Sequence, residues 1–422
     1  MTSSSPALRP QWKITLWAVL VAELLAVGGF NTSGPIVPFF LQDLGVHDAV
    51  HIKFFTGLIN ALPAIALALA APIWGHLADN FGRKPMLLRA MFGGVVVLVL
   101  QGLVTDPWSL LILKILQGAI TGTVAAATVM VASAVPTEEA GASLGLLQMA
   151  VFLGASVGPM FGGVIADVFG YRLTFFATAV LLLIAGVIVV RFVRDDFVPP
   201  VVKTSKLRRM LPDLSALKHS KVLWSLLAVV AADQVAGSIT GPFLPLFIQS
   251  LSGPKDLVAS TTGLVLGLGA LSSAVAAMTV GKISYRFGYG RTLIFCMVGA
   301  AVFTLPQAFV TNPLQLLALR LVSCFFIGGN MPSVNALIAQ QVQPGKQGSV
   351  YGLTSSVAST STALGPVVGA TLAAALGFGS VFLGTGLVLG ATGVAIALSV
   401  RQARSKSDPP DPDAGVTFPP EA

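Results

Sequence analysis

Twelve apolar stretches, each about 20 residues long, begin near residues 14, 53, 86, 108, 143, 173, 222, 257, 291, 313, 348 and 379. A run of that length spans the hydrocarbon layer of a bilayer when coiled as an α-helix, and in lipid only helices and closed barrels satisfy their own backbone groups. The chain is 55% hydrophobic and 10% charged, with a mean hydropathy of +0.85, so it cannot cover a soluble globule with polar surface. The expected fold is all-α and integral to the membrane, with twelve transmembrane helices. The first stretch is too long for a signal h-region, has no small-residue cleavage site and recurs as the seventh, so it is expected to stay in the mature protein.

The sequence also repeats itself. VTDPWSLLILKI at 104–115 returns as VTNPLQLLALRL at 310–321, 206 residues later. GPIVPFF from Gly34 returns as GPFLPLF from Gly241, and SVGPMFGG around Gly158-Pro159 returns as TALGPVVGA around Gly365-Pro366, both displaced by 207. A same-direction repeat of this length predicts two copies of one six-helix bundle, with any functional site between them. The expected divisions are an N-terminal half at 1–193, a basic linker at 194–221, a C-terminal half at 222–402 and a tail at 403–422. In the linker, Leu207, Met210, Leu211, Leu214 and Leu217 recur at helical spacing, so this stretch either lies along the inner headgroups or is a solvated connector. The tail is proline-rich and polar and is expected to be disordered.

A net charge of +8 does not imply nucleic acid here, because the bases sort by side of the membrane. With the N-terminus cytoplasmic, 20 of the 25 Lys and Arg fall inside, only Lys53, Arg172 and Lys255 fall outside, and Lys114 and Arg320 lie within helices. Both termini are therefore expected in the cytoplasm. Trp and Tyr sit near helix ends, as at Trp17, Trp74, Trp108, Tyr171 and Trp224, where amphipathic rings suit the headgroup layer. Cys296 and Cys324 sit inside helices, and His47, His51, His76 and His219 show no ligand spacing, so no metal or redox site is expected.

GHLADNFGRKP, from Gly75 to Pro85, occupies the turn between the second and third helices. Gly75 permits close helix contact, Gly82 a tight turn, and Asp79 and Arg83 can exchange charge-assisted hydrogen bonds with each other and with a facing helix end, beside Lys84. This string resembles the signature loop of the major facilitator superfamily, and the resemblance spans roughly residues 12–402. It implies two rocking halves and a loop that latches the cytoplasmic gate. The second copy, GKISYRFGYGR from Gly281, has Tyr285 where the first has Asp79, so the latch should be one-sided. In the fifth helix Gly154, Gly158 and Gly162 recur every four residues beside Pro159 and Gly163, a smooth face for close packing. GASVGPMFGG also resembles the antiporter motif of the twelve-helix drug/proton exporters of the superfamily, which implies export.

Among the 17 Asp and Glu, only Glu23 and Asp233 lie well inside helices, and the repeat offset places Asp233 one turn from the Glu23 equivalent. Burial favours the neutral form of a carboxyl and a nearby cation the charged form, so such groups can load and release protons; the alternative is a structural hydrogen bond or a pair with Lys114 or Arg320. Lys114, Gln117, Thr121 and Thr128 form a polar stripe on the fourth helix, and Arg320 is the repeat equivalent of Lys114. Either cation could instead snorkel toward a helix end. Asn31, Asn60, Gln148, Gln234, Asn330 and Asn335 add neutral polar groups, and Phe30 and Phe243 offer apolar contacts, to a candidate substrate cavity. The resemblance implies a bacterial inner-membrane efflux protein, a monomer that exports lipophilic compounds against protons, with the proton gradient as its energy source and no cofactor. A proton-coupled symporter or uniporter of a sugar or other metabolite is the alternative, and an intramembrane enzyme has no supporting nucleophile or metal motif.

Overall fold

The computed structural model describes residues 11–195, 221–253, 257–341 and 347–405. The linker expected at 194–221 lies almost wholly outside these residues, as does the tail from 406. The last helix runs to Ser405, three residues into the stretch expected to be disordered.

Among the described residues fifteen α-helices follow one another: α1 Gln11–Ser33, α2 Val37–Asp43, α3 Ala49–Phe81, α4 Arg83–Leu103, α5 Pro107–Ile120, α6 Thr123–Ala134, α7 Thr137–Phe169, α8 Tyr171–Phe192, α9 Lys221–Thr240, α10 Leu244–Leu251, α11 Val258–Phe287, α12 Tyr289–Thr304, α13 Pro313–Gln341, α14 Gln347–Leu376 and α15 Phe378–Ser405. Among the described residues they make 12 segments long and apolar enough to cross a membrane, one for each apolar stretch of the sequence. The fourth is assembled from α5 and α6, and the seventh from α9, a 3-10 turn at Gly241–Phe243 and α10. The Gly-Pro pairs at Gly34-Pro35 and Gly241-Pro242 interrupt the first helix of each half at the same place, because proline cannot donate into the helical ladder. Arg89, one of the twenty bases assigned to the cytoplasmic side, lies inside α4.

Large apolar side chains such as Leu69, Ile112, Phe161 and Leu387 point outward, as lipid-facing helices require. Inside, each half has its own core. Leu16, Val19, Leu87, Met130 and Val189 belong to the first, and Leu223, Val229, Met297, Val334 and Leu389 to the second. A further cluster draws on both halves, joining Ile36, Phe40, Phe55 and Phe175 to Phe243, Ala259 and Ala373.

Around this shared cluster the halves are tied by polar contacts. Gln42 and Gln249 exchange two amide hydrogen bonds, Nε2 to Oε1 in each direction at 2.9 and 3.1 Å, and they are 207 positions apart. A residue can face its own repeat mate only where the pseudo-twofold axis passes, so this pair marks the axis. Nearby, Lys53 Nζ donates to Ala373 O at 2.8 Å. Asp167, at the end of α7, caps the first turn of α11 by accepting from Ser260 N at 2.7 Å and Ala259 N at 3.4 Å. These ties lie toward the end of the bundle remote from the start of α1.

Candidate functional site

The sequence GAITGT breaks the fourth span. Thr121 ends α5, with its backbone N–H and Oγ1 both bonded to Gln117 O, and Gly122 sits at φ +122, a region that disfavours side chains. Helix α6 then starts at Thr123 within the membrane span. Thr123 Oγ1 donates to Glu23 Oε1 at 2.8 Å, so the carboxyl of α1 sits against the first residue of a helix, the end where the macrodipole favours negative charge. Glu23 is fully buried, and its Oε2 has no partner, a position that a proton can occupy.

The second half builds the same pair from other residues. Asp233, on α9, is buried and accepts from Asn330 Nδ2 of α13 at 2.7 Å. In both halves, then, an acid on the first span meets a neutral donor on the fourth. Asn330 was among the cavity candidates, but Thr123 was not, because nothing in its residue type separates it from the ordinary hydroxyls of apolar helices. The repeat offset of 207 from Asn330 and the helix break at Gly122 are what select it.

No ion pair joins Lys114 or Arg320 to either acid. Lys114 is buried with Nζ 5.7 Å from the centre of the Phe175 ring, and Arg320 is half-buried with its Nε unpartnered. Beside each lies a polar pair that obeys the repeat. Gln101 Nε2 donates to Gln117 Oε1 at 3.0 Å, and Gln307 Nε2 donates to Ser323 Oγ at 2.9 Å, each pair being 16 residues apart. Gln101 and Gln307 are not among the cavity candidates of the sequence, although two glutamines inside apolar runs at an offset of 206 are a usable signal.

The remaining candidates are dispersed. Asn31 and Asn60 bond backward to Val27 O and Thr56 O of their own helices, and Thr128 does the same to Val124 O. Gln234 Nε2 reaches Thr362 Oγ1 at 3.2 Å, while Gln148 and Asn335 are exposed. Phe30 packs among Gly94 and Leu182 within the first half, and Phe243 is enclosed in the cluster between the halves, against Gly369.

At the signature turn, Gly82 adopts φ +94 and the N-terminus of α4 follows. Asp195 caps it, its Oδ2 accepting from Arg83 N at 2.8 Å and Lys84 N at 2.9 Å. Lys84 Nζ answers by donating to Val193 O at 2.7 Å and Val190 O at 3.0 Å, at the end of α8. The turn is thus tied to the end of α8 through Lys84 and the backbone N–H groups of Arg83 and Lys84, and Asp195 is a residue the sequence alone did not single out. The Asp79 side chain lies outside those described, as does that of Tyr285.

The glycines of α7 serve two neighbours. A Cβ on Gly154, Gly158 or Gly162 would strike the α1 backbone at Leu24, Gly28 or Thr32. One on Gly163 would strike Ala259 of α11, in the other half. Conversely, Gly263 of α11 lies against the Pro159 carbonyl, and its repeat mate Gly57 of α3 lies against the Pro366 carbonyl. Ser156 Oγ adds a hydrogen bond to Gly267 O at 2.7 Å. The contact surfaces between the halves are therefore α7 against α11 and α14 against α3.

The profile of the Major Facilitator Superfamily matches the chain twice, over residues 19–260 and 230–421. The chain is 33% identical over 380 residues to multidrug resistance protein MdtG of Proteus mirabilis (strain HI4320), covering 90% of this chain and 94% of that protein. It is 32% identical over 393 residues to MdtG of Rahnella sp. (strain Y9602), with 92% and 95% covered. Among solved structures, a bacterial homolog of the human lysosomal transporter Spinster, inward-facing and unoccupied, superposes with a TM-score of 0.75 at 14% identity, over 96% of this chain and 100% of that one. The human organic anion transporter MFSD10 (TETRAN) gives 0.67 at 16% identity, over 93% and 100%. The sequence repeat, twelve spans, signature turn and glycine-faced α7 are thus those of a known transporter architecture: the chain belongs to the major facilitator superfamily and is a multi-pass bacterial inner-membrane protein.

Proposed function

We propose that this multidrug efflux transporter exports lipophilic or amphiphilic compounds in exchange for protons, with Glu23 and Asp233 as the groups that carry the proton. The observation that supports this reading is the doubled arrangement of one buried acid per half, each held by a neutral donor on the fourth span and not by a cation. A neutral donor can hold either protonation state of its acid, whereas a tight cation partner would fix the charged one. An intramembrane acid without a counter-ion can therefore bind and release protons as its surroundings alternate between sides.

In this reading both termini are cytoplasmic, and the ties around Gln42–Gln249 close the outer end. Rocking of the halves about α7–α11 and α3–α14 then opens that end and closes the inner one, where the α3–α4 turn latches. In this reading a single chain, with both halves, acts as a monomer. Lys114 and Arg320, both uncommitted to an acid, tune protonation or hold anionic groups of a substrate.

The test is proton movement in inverted membrane vesicles carrying an imposed pH gradient. Addition of a lipophilic cation should dissipate the gradient in vesicles containing the wild-type chain, while Glu23→Gln and Asp233→Asn should each lower the response at least about tenfold, some 1.4 kcal/mol in coupling. An unchanged response in both variants would overturn the assignment. A substrate gradient that builds in the same direction as the proton movement would indicate symport instead.

A further inference from the structure

Arg89 is a cation that the exchange reaction does not use. It lies two turns into α4 with its guanidinium stacked on the Trp74 ring, 3.6 Å from the ring centre. Trp74 is itself fixed, since Nε1 donates to Ala119 O at 2.6 Å in the last turn of α5. Arg89 Nε and Nη1 are buried and have no hydrogen-bond partner. Guanidinium keeps its charge at any physiological pH, so these two buried nitrogens of the half-buried side chain demand acceptors that they do not find in the protein.

Beside it is a cavity of about 140 Å³, lined by Arg83 and Arg89 on α4, by Thr121, Gly122 and Ala125 at the break of the fourth span, and by apolar side chains including Leu67 and Val129. The break adds to the field. Helix α6 makes its first internal hydrogen bond from Ala126 N to Gly122 O, so the backbone N–H groups before it are outside the ladder. Glu23 approaches Thr123 but does not line this cavity, and Asp195 is engaged with the Arg83 and Lys84 backbones. The wall is thus cationic at Arg89 and apolar at Leu67 and Val129.

We propose that this cavity binds a phosphate-type oxyanion carried on an apolar stem, with the Arg89 guanidinium, braced by Trp74, as its principal donor. The planar fork suits two phosphate oxygens at once, and the Leu67 and Val129 sides accept hydrocarbon. The same chemistry is offered by the headgroup of a bilayer phospholipid and by a phosphorylated solute.

The full chain in detergent separates these sources. Dihexanoyl phosphatidylglycerol, uncharged dihexanoylglycerol and inorganic phosphate are titrated against wild type, Arg89→Gln and Arg89→Lys, with intrinsic tryptophan fluorescence and thermal melting as readouts. Saturable binding of the charged lipid is expected, weakened at least about tenfold by Arg89→Gln and less by Arg89→Lys, which keeps the charge without the fork. Displacement of that lipid by millimolar inorganic phosphate would assign the site to phosphate in general, and failure to displace it would assign it to lipid; both support the proposal. Equal binding of the uncharged lipid to wild type, a comparison that needs no variant, would overturn it. So would Arg89→Gln binding the charged lipid as tightly as wild type does.

Discussion

At the scale of single residues, the informative positions are those where the two halves answer each other imperfectly. Glu23 with Thr123 and Asp233 with Asn330 make one arrangement from four different residue types, the acids displaced by about a turn and the donors keeping the 207-residue offset. The acids were legible in the sequence because a carboxyl inside an apolar run has few innocent explanations. Their partners were not equally legible, since a hydroxyl or an amide in a helix commonly bonds its own preceding turn, as Asn31 and Thr128 do here. A better matched pair lies at the start of the fourth spans. Asp106 caps α5, its Oδ1 accepting from Ser109 N at 2.9 Å, and its repeat equivalent Asn312 caps α13 by accepting from Gln315 N at 2.9 Å. The Ser109 donors hold the Asp106 carboxyl below its ordinary range. Its contribution to stability is therefore present above the usual carboxyl titration and is lost as pH falls through its lowered value. Asp106→Asn, which copies the second half, is expected to keep the melting temperature at pH 7 and to flatten its decline on acidification. A wild-type decline unchanged in this variant would show that the cap does not titrate.

At the scale of elements, the fourth span and the glycine-faced helices decide how the bundle works. The break at Gly122 is what turns α6 toward Glu23, yet no breaking residue other than a glycine announces it, and the apolar run reads straight through. Only tertiary packing settles whether such a glycine is a contact or a break. Gly122→Ala places a side chain at φ +122, and is expected to cost at least about 1 kcal/mol in the melting of the purified protein. If the melting temperature is unchanged, the break is not built on that glycine. The α7 glycines were legible as a smooth face, but the sequence could not say which neighbour the face meets. It meets two. Gly263→Leu, which drives a side chain against the Pro159 carbonyl, is expected to destabilise the protein by about 1–3 kcal/mol. The same change at Gly145 of α7, where a Cβ would meet nothing within 4 Å, should be near neutral, so the comparison isolates the interface.

At the scale of the whole molecule, the doubled sequence already gave two halves in one orientation, and the Gln42–Gln249 pair shows where their axis runs. Twelve spans and their order follow from hydropathy, because each run must be a helix once it is in lipid. The polar ties between halves could not be read in the same way, since Lys53, Asp167 and the two glutamines lie at helix ends where polar residues are ordinary. If rocking opens this end, joining cysteines introduced at Gln42 and Gln249 with a short bifunctional reagent should stop export, and cleaving the link should restore it. Export that continues with the link intact would exclude opening at the axis. The proposed exchange has protons ride on Glu23 and Asp233, while movement of the halves itself does not need their charge. Its most direct test is the double variant Glu23→Gln/Asp233→Asn in proteoliposomes, comparing substrate counterflow without a gradient to uptake driven by a pH gradient. Counterflow at near wild-type rate with gradient-driven uptake lost is the predicted result; gradient-driven uptake that survives in the double variant would contradict it.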